Sequence, residues 1–549
     1  MTVKPVPIPP IPEQTKRVAL AAFPNGNIYM QMRDEIGSIY QDEMFIELYS
    51  NEGQPGWSPW RLALVTIMQF AENLSDRQAA EAVRARMDWK YALSLELTDP
   101  GFHYSVLSEF RARLVESEKS QMLLDRILMI FKERGWLKAH GQQRTDSTHV
   151  LATVRELNQV EIVGESFRYA LNVLAAVVPD WLEERLKVEW GERYGERMDE
   201  YRLPKEKGER EALVDLIGED GHYLLECIDK EADLTWLSEI PAIQIMKKIW
   251  EQQYKVEDGK IRHRKLKEMP PVGEWLRSPF DPEARYGKKR SRHWVGYKVH
   301  LTETCDEDRP HLITQVETRP AIEQDNQATT DIQNQLEKSE LCPQQHLVDA
   351  GYISAKLILE SREKHGIDLI GPVHVDPSWQ AHTPGAFDAN QFQVDWEAQS
   401  ATCPQGHRSV GWYAEKDSQQ EPIVRIVFHS PTCLGCPARP LCSKSKHSGR
   451  SLVLRAQGRH QVLQTARERQ QTEAFKQIYR KRSGIEGTLS QTVRSSGLRH
   501  SRYIGIAKTH FQNIAIAVAT NIKRSIDWMN EVPLASTRRS RFSLLLTDG

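Results

Sequence analysis

Three acidic residues carry the chemistry that this sequence is equipped to do: Asp146, Asp349 and Glu486. Asp146 lies in Gln142-Gln143-Arg144-Thr145-Asp146-Ser147-Thr148-His149, and Asp349 closes the apolar stretch His346-Leu347-Val348 ahead of Ala350-Gly351-Tyr352. Glu486 sits in a basic helical stretch, Tyr479-Arg480-Lys481-Arg482-Ser483-Gly484-Ile485-Glu486. Two strand-borne Asp residues and a helix-borne Glu, far apart in sequence, suit a pair of divalent cations. Two such ions roughly 4 Å apart activate a water or 3′-hydroxyl and stabilise the leaving oxygen of a phosphodiester. Mg²⁺ or Mn²⁺ takes carboxylate and water ligands and keeps positions open for substrate phosphate, so few protein carboxylates are needed. Taken singly, each residue also has a structural reading. Asp-Ser-Thr is cap chemistry, Asp349-Ala350-Gly351 can close a strand, and Glu486 can pair with Arg482 four residues back.

The surroundings of Glu486 add specificity. Tyr479, Arg482 and Glu486 are spaced i, i+3, i+7, which places them on one face of a continuous helix. Arg482 would clamp phosphate, Tyr479 would stack or hydrogen-bond, and Glu486 would ligate metal. The net charge of −2 hides an uneven distribution. Residues 151–259 carry 25 acidic and 14 basic side chains, residues 260–298 carry 12 basic and 4 acidic, and residues 480–502 carry 6 basic and one acidic. The two basic segments can track a phosphate backbone. Lys288, Lys289, Arg290 and Arg292 are the non-specific DNA-contact candidates; a solvated basic loop explains them equally well.

Seven cysteines are unevenly spread: Cys227, Cys305 and Cys342 stand alone, whereas Cys403, Cys433, Cys436 and Cys442 cluster. The Cys-Leu-Gly-Cys turn and the four thiols suit a tetrahedral structural Zn²⁺ site, with His407 as a substitute ligand. Reduced, unligated thiols are the alternative. Zinc would fold a segment too poor in apolar residues to fold alone.

The elements that must position these groups read as follows. Residues 1–57 form an N-terminal arm rich in Pro and turn formers, with one helix near residues 42–49. Residues 58–138 are all-helical, with Ser75-Asp76-Arg77-Gln78 as a capping box. The basic Phe110-Arg111-Ala112-Arg113-Leu114 near the end of one helix fits either a helix-turn-helix module or a packing domain. Residues 139–530 read as an α/β domain with a helical, acidic insertion at 151–275 and a Cys-rich insertion at 374–450. After Asp146 the order is strand (296–303), strand (311–318), helix (331–340), strand (346–348), helix (355–365), strand (367–373). A long helical stretch over 457–494 carries Glu486, a further helix spans 503–524, and a tail at 531–549 carries Arg538, Arg539 and Arg541.

With 549 residues, 40% hydrophobic and 27% charged, the chain has globular composition. No apolar run approaches the roughly 20 residues that span a bilayer, and the mean hydropathy is −0.56. The N-terminus lacks a signal-peptide core, which predicts a cytoplasmic protein with no membrane partner.

These motifs together resemble bacterial insertion-sequence transposases of the DDE class, in a cysteine-containing branch. The Tyr-x2-Arg-x3-Glu signature is present as Tyr479, Arg482 and Glu486, and the Asp-Ser-Thr and Asp-Ala-Gly-Tyr contexts resemble the first and second Asp motifs. Arg499-His500-Ser501-Arg502-Tyr503-Ile504-Gly505 and Asn521-Ile522-Lys523-Arg524 resemble the C-terminal part of that branch, and residues 58–118 its helical N-terminal domain. The resemblance implies an RNase H-like catalytic core, with Asp146, Asp349 and Glu486 holding two Mg²⁺ or Mn²⁺ ions. It implies cleavage at transposon ends, strand transfer into target DNA, recognition of terminal inverted repeats in double-stranded DNA, and a dimer on DNA. Arg482 and Arg494 would contact DNA phosphate. The family signature often continues with a basic residue seven positions after the Glu, where this chain has Val493; Arg494 is the nearest basic side chain. A nuclease that cuts without strand transfer, and a catalytically silent DNA-binding protein, are the alternative readings.

Overall fold

The computed structural model describes residues 2–199, 203–289, 291–418 and 420–533. Arg290 and the arginines of the 531–549 tail lie outside the described residues. The chain is mixed α/β, with a helical N-terminal region and a sheet-containing C-terminal region.

The central sheet has six strands. Gln142–Leu151 lies in the middle. On one side it pairs antiparallel with the long Arg292–Thr304 strand, in a register that sets Asp146 opposite Leu301. Both Arg285–Lys289 and Ile313–Pro320 pair antiparallel with that long strand. On the other side Gln142–Leu151 pairs in parallel with Gln345–Leu347, which pairs in parallel with Asp368–Ile370. The parallel connections run through the helices Asp325–Lys338 and Ala355–His365, as parallel pairing requires. The alternation of strands and helices expected after Asp146 is therefore present, with boundaries shifted by a few residues. Arg285–Lys289 is an edge strand that the sequence reading does not assign: its basic side chains hide the expected alternation, and an edge suits charge.

One core runs from the N-terminal helices through the sheet to the C-terminal helix. The helix Ile506–Met529 is the keel, with Phe511, Ile514, Ile516, Val518 and Ile522 buried. Each such side chain contributes about 1.5–3 kcal/mol on burial. The helix packs on the sheet strand Ile313–Pro320 and on the helices Pro59–Ala71 and Met122–Glu133. The capping box at Ser75 is formed, with Ser75 N donating to Gln78 Oε1 at 2.8 Å and Gln78 N to Ser75 Oγ at 3.3 Å. The first segment is more ordered than its composition suggests: a helix at Glu13–Ala22 packs through Ala19 against Met30 and Tyr91. The basic residues read as helix-turn-helix contacts are turned inward. Arg111 is buried and paired bidentately with Asp76, and it lies over the Tyr503 ring. Arg113 lies over Tyr49. This favours the packing reading of that helix.

The acidic helical segment builds a separate core around Phe167, Trp190, Tyr194 and Trp250. Gly221 in the helix Lys207–Asp229 lets Trp250 approach so closely that a Cβ would collide with the indole. Trp250 Nε1 donates to the Gly218 carbonyl at 3.1 Å. A short hairpin, Tyr254–Glu257 with Lys260–His263, closes this segment where only helix was expected. The Cys-rich segment forms a two-stranded and a three-stranded sheet around Ile426, Phe428, Leu452 and Leu454.

Candidate active site

Asp146 sits on the central strand, buried at 7% exposure. One of its oxygens accepts from the Ser147 amide at 2.8 Å. Asp349 follows immediately on the Gln345–Leu347 strand and Val348, and its Oδ1 accepts from Gly351 N at 2.7 Å, which fixes the turn. Glu486 lies in the first turn of the helix Gly484–Ser496 and is exposed. These three carboxylates meet around one cation. The Arg482 guanidinium donates from Nη2 to Asp146 Oδ2 at 2.7 Å, lies 3.7 Å from Asp349 Oδ2, and donates from Nη1 to Glu486 Oε1 at 3.2 Å. Burial pushes the Asp146 carboxyl above its ordinary range, opposed by Arg482 and the Ser147 amide and reinforced by Asp349. Burial pulls the Arg482 guanidinium down, but Asp146, Tyr479, Asp349 and Glu486 outweigh that and raise it.

The stretch over 457–494 is not one helix. It runs as Gln457–Gln470, Glu473–Arg480, a tight 3₁₀ turn at Lys481–Ser483 and Gly484–Ser496. Arg480, Lys481, Ser483 and Gly484 keep right-handed helical backbone, so the run over 473–496 is helical with a tight turn inside it, and Arg482 pairs with Glu486 one turn on. Arg144 on the central strand packs against this turn. It donates to the Lys481 carbonyl, and its guanidinium lies where a Cβ at position 484 would be, so only Gly484 fits. Arg144 also pairs with Glu303, which is fully buried, at 2.6 Å. The other Glu303 oxygen takes Arg524 Nη1 of the C-terminal helix at 2.7 Å and the Thr488 hydroxyl of the Glu486 helix. Burial opposes the Glu303 charge, yet Arg524 and Arg144 hold its carboxyl below the usual range. This cluster ties the Glu486 helix to the strand that carries Asp146.

A second buried network aligns the two Asp strands. Thr145 Oγ1 meets Thr302 Oγ1 at 2.7 Å and His346 Nε2 at 2.6 Å, and Ser361 Oγ donates to Gln333 Oε1 at 2.9 Å beside His346. Burial pulls His346 down to about 4, so it is neutral at pH 7. Tyr352 donates to or accepts from His300 Nδ1 at 2.6 Å, again with the imidazole pulled by burial to about 3. Sequence reasoning missed Arg144, Glu303, His346 and His300 as positioning residues. Their signal was weak, although Arg144 and His346 lie within three residues of the two Asp positions.

Tyr479 stacks on Phe475, with centroids 5.4 Å apart, in a small apolar cluster with Leu347 and Ile370. Lys288 and Lys289 stand exposed on the edge strand, and Arg292 is exposed at the start of the next. Lys289 lies close enough to Asp146 to favour its charged form. Burial, together with Arg499, Arg292, His500 and Lys289, pulls His149 on the Asp146 strand down to about 4. Arg499 joins this basic face because its segment runs alongside Leu151 and its Nε donates to Thr148 Oγ1 at 2.9 Å. Arg499 was not among the expected DNA contacts. Arg494 is exposed in the last turn of the Glu486 helix and forms no ion pair with the three carboxylates, while Val493 packs on the core.

Cys403, Cys433, Cys436, Cys442 and His407 line one cavity of about 310 Å³. Cys403 Sγ accepts from the His407 amide at 3.4 Å. Burial, reinforced by the other three thiols, pushes the Cys442 thiol up. Among the described residues no group of three or more His, Cys, Asp or Glu side chains is arranged to hold a metal ion. At the carboxylates the donor set is right for a hard divalent cation, but a guanidinium stands among them. At the cysteines the donors are right for zinc, but they surround a cavity rather than close on a point.

Residues 402–526 match a family model described as a transposase DDE domain, and residues 18–113 match one described as a transposase domain (DUF772). The first covers Tyr479, Arg482, Glu486, Arg494 and the four clustered cysteines. The second begins within the segment read as an arm. No curated protein and no solved structure matches the chain. Among the described residues no helix is long and apolar enough to cross a membrane.

Proposed function

We propose the chemistry of this site from two premises: the chain belongs to the insertion-sequence DDE transposases, and three of its carboxylates converge on one cation. The reading is a two-metal phosphoryl transferase that cleaves phosphodiester bonds at transposon ends and joins them to target DNA. Asp146, Asp349 and Glu486 would hold Mg²⁺ or Mn²⁺. When bound, the ions supply activation of a water or 3′-hydroxyl and stabilisation of the leaving oxygen. The observation that carries this reading is the meeting of all three carboxylates at Arg482 from three separate elements. An RNase H-like core is supported by the strand order. Taking the strands of the core in chain order from Gln142–Leu151, with Arg285–Lys289 set aside as an edge addition, they lie third–second–first–fourth–fifth, the first three antiparallel and the last two parallel.

The chain's own residues do the rest. The Arg144–Glu303–Arg524 cluster sets the distance between the Glu486 helix and the Asp146 strand. Lys289, Arg292 and Arg499 would form the basic approach along which a phosphate backbone lies, with Lys288 on the same edge strand and Arg494 farther along the Glu486 helix as further contacts. Arg290, between Lys289 and Arg292 in sequence, belongs to the same proposal on sequence grounds. Tyr479, stacked on Phe475 beside Arg482, would stack on or hydrogen-bond to the DNA. Cys403, Cys433, Cys436 and Cys442, with His407 as substitute, would close on a structural Zn²⁺. The proposed domain division is a helical region over 58–138, a catalytic region over 139–530 with insertions at 151–275 and 374–450, and a dimer assembled on terminal inverted repeats.

Purified chain incubated with duplex DNA carrying the terminal inverted repeats of its element and Mg²⁺ tests this reading. Joined products support transposition, and cuts alone support a nuclease. Binding without cutting would mark a silent DNA-binding protein and overturn the catalytic reading.

A further inference from the structure

Arg482 occupies the place where a cation belongs. Its two terminal nitrogens reach Asp146 at 2.7 Å and Glu486 at 3.2 Å, with Asp349 at 3.7 Å. Its side chain is only 14% exposed. The remaining nitrogen, Nε, is buried with no hydrogen-bond partner. A guanidinium with a full fork of bonds would be a fixture; one with a buried donor left over is held mainly by charge. It is carried on the 3₁₀ segment Lys481–Ser483, where the helical run over 473–496 tightens. Glu486, its most exposed partner at 65%, is held in place by nothing else in the site.

We infer that Arg482 is a metal-responsive latch: it neutralises Asp146, Asp349 and Glu486 in the metal-free protein and must leave them before a divalent cation binds. The inference rests on the three carboxylates being the metal site. Three like charges brought this close repel unless a cation compensates them. Without metal, that cation is Arg482. Guanidinium and divalent cation compete for the same oxygens, so binding of one excludes the other. Lys289 neighbours Asp146, and with Arg292 and Arg499 it neighbours His149 on the same strand, so a released guanidinium would join a basic face. There its fork matches a phosphate. Metal loading and capture of the DNA backbone are then coupled through a single side chain, and by linkage DNA tightens metal binding by the same factor.

The test is Mn²⁺ titration of the full chain without DNA, followed by the paramagnetic signal of free Mn²⁺. Arg482→Gln should bind Mn²⁺ about tenfold more tightly than the wild type. Arg482→Lys, which keeps the charge but has one nitrogen to offer, should fall between them. Lys289→Gln is the electrostatic control: it removes a charge near Asp146 without vacating the carboxylates. If Arg482→Gln gains no more than Lys289→Gln, the latch is overturned while the carboxylate site stands. If Asp349→Asn binds Mn²⁺ as the wild type does, the carboxylate site itself fails, and the latch with it. In a second arm, Ca²⁺ in place of Mn²⁺ should raise wild-type affinity for duplex DNA relative to EDTA, and Arg482→Gln should lose most of that rise. Equal rises in both would overturn the coupling. Thermal melting of each variant identifies any that fails to fold, in which case Arg482→Lys carries the comparison.

Discussion

Two sets of side chains proposed to bind metal stand in this molecule, and they are held in opposite ways. Asp146, Asp349 and Glu486 come from three elements of the main core, and buried polar clusters around Glu303 and His346 fix those elements to one another. Cys403, Cys433, Cys436 and Cys442 belong to a segment with a core of six buried apolar residues, and they face a cavity. The fold brings together the elements that carry the carboxylates whether or not metal is present. The cysteines lack such support, so a metal there would position the fold. The first arrangement suits ions that come and go with substrate, the second an ion that stays.

The sharpest way to break this contrast is to remove a carboxylate. Asp349→Asn should lower Mg²⁺-dependent DNA cleavage by on the order of 1000-fold, since a metal ligand supplies several kcal/mol of transition-state stabilisation. Its melting temperature should be unchanged, as Asp349 is partly exposed. A large fall in stability would mean the carboxylates support the fold rather than the reverse. Glu303→Gln should do the opposite and cost about 3–5 kcal/mol in denaturant unfolding, because Arg144 and Arg524 would be left buried with an uncharged partner. A cost below about 1 kcal/mol would show the cluster to be dispensable.

The pH dependence separates the same two regions. His346 is held near 4 in the folded chain against about 6.5 unfolded, so below pH 6.5 the unfolded state takes the proton first. Its contribution is fully present above about pH 6.5, is lost as pH falls, and levels off near pH 4. The loss should approach about 3 kcal/mol, and His346→Gln should flatten the profile in that window. The smallest effect is expected at the cysteines. Cys433→Ser and Cys436→Ser should speed proteolysis within residues 374–450 by about tenfold through local opening. Mn²⁺ binding at the carboxylates should be untouched. Metal analysis of the dialysed wild type should give about one zinc per chain, and its absence would remove the zinc from the account.

The strand–helix alternation after Asp146 was legible because the first two strands alternate polar with apolar residues and the last two are short apolar runs, and the helix over 355–365 has the expected bounds. The convergence of the carboxylates followed from chain order and element type. Illegible were the features that depend on one distant side chain meeting another. Nothing near Lys481–Ser483 announces that Arg144, more than three hundred residues upstream, packs its guanidinium against Gly484 and donates to the Lys481 carbonyl. Whether the helix of Arg111 packs or meets DNA was open in the sequence because nothing local announces its pairing with Asp76 or its place over Tyr503. The helix at Glu13–Ala22 was hidden by the prolines that precede it.

The central claim, that three carboxylates from three elements form one metal site, is tested most directly by anomalous diffraction at the manganese edge from crystals of the full chain with Mn²⁺ and a DNA end. The account predicts two peaks roughly 4 Å apart, ligated by Asp146, Asp349 and Glu486, with the Arg482 guanidinium moved off them. Mn²⁺ bound elsewhere, with Arg482 still joining the three carboxylates, would contradict it.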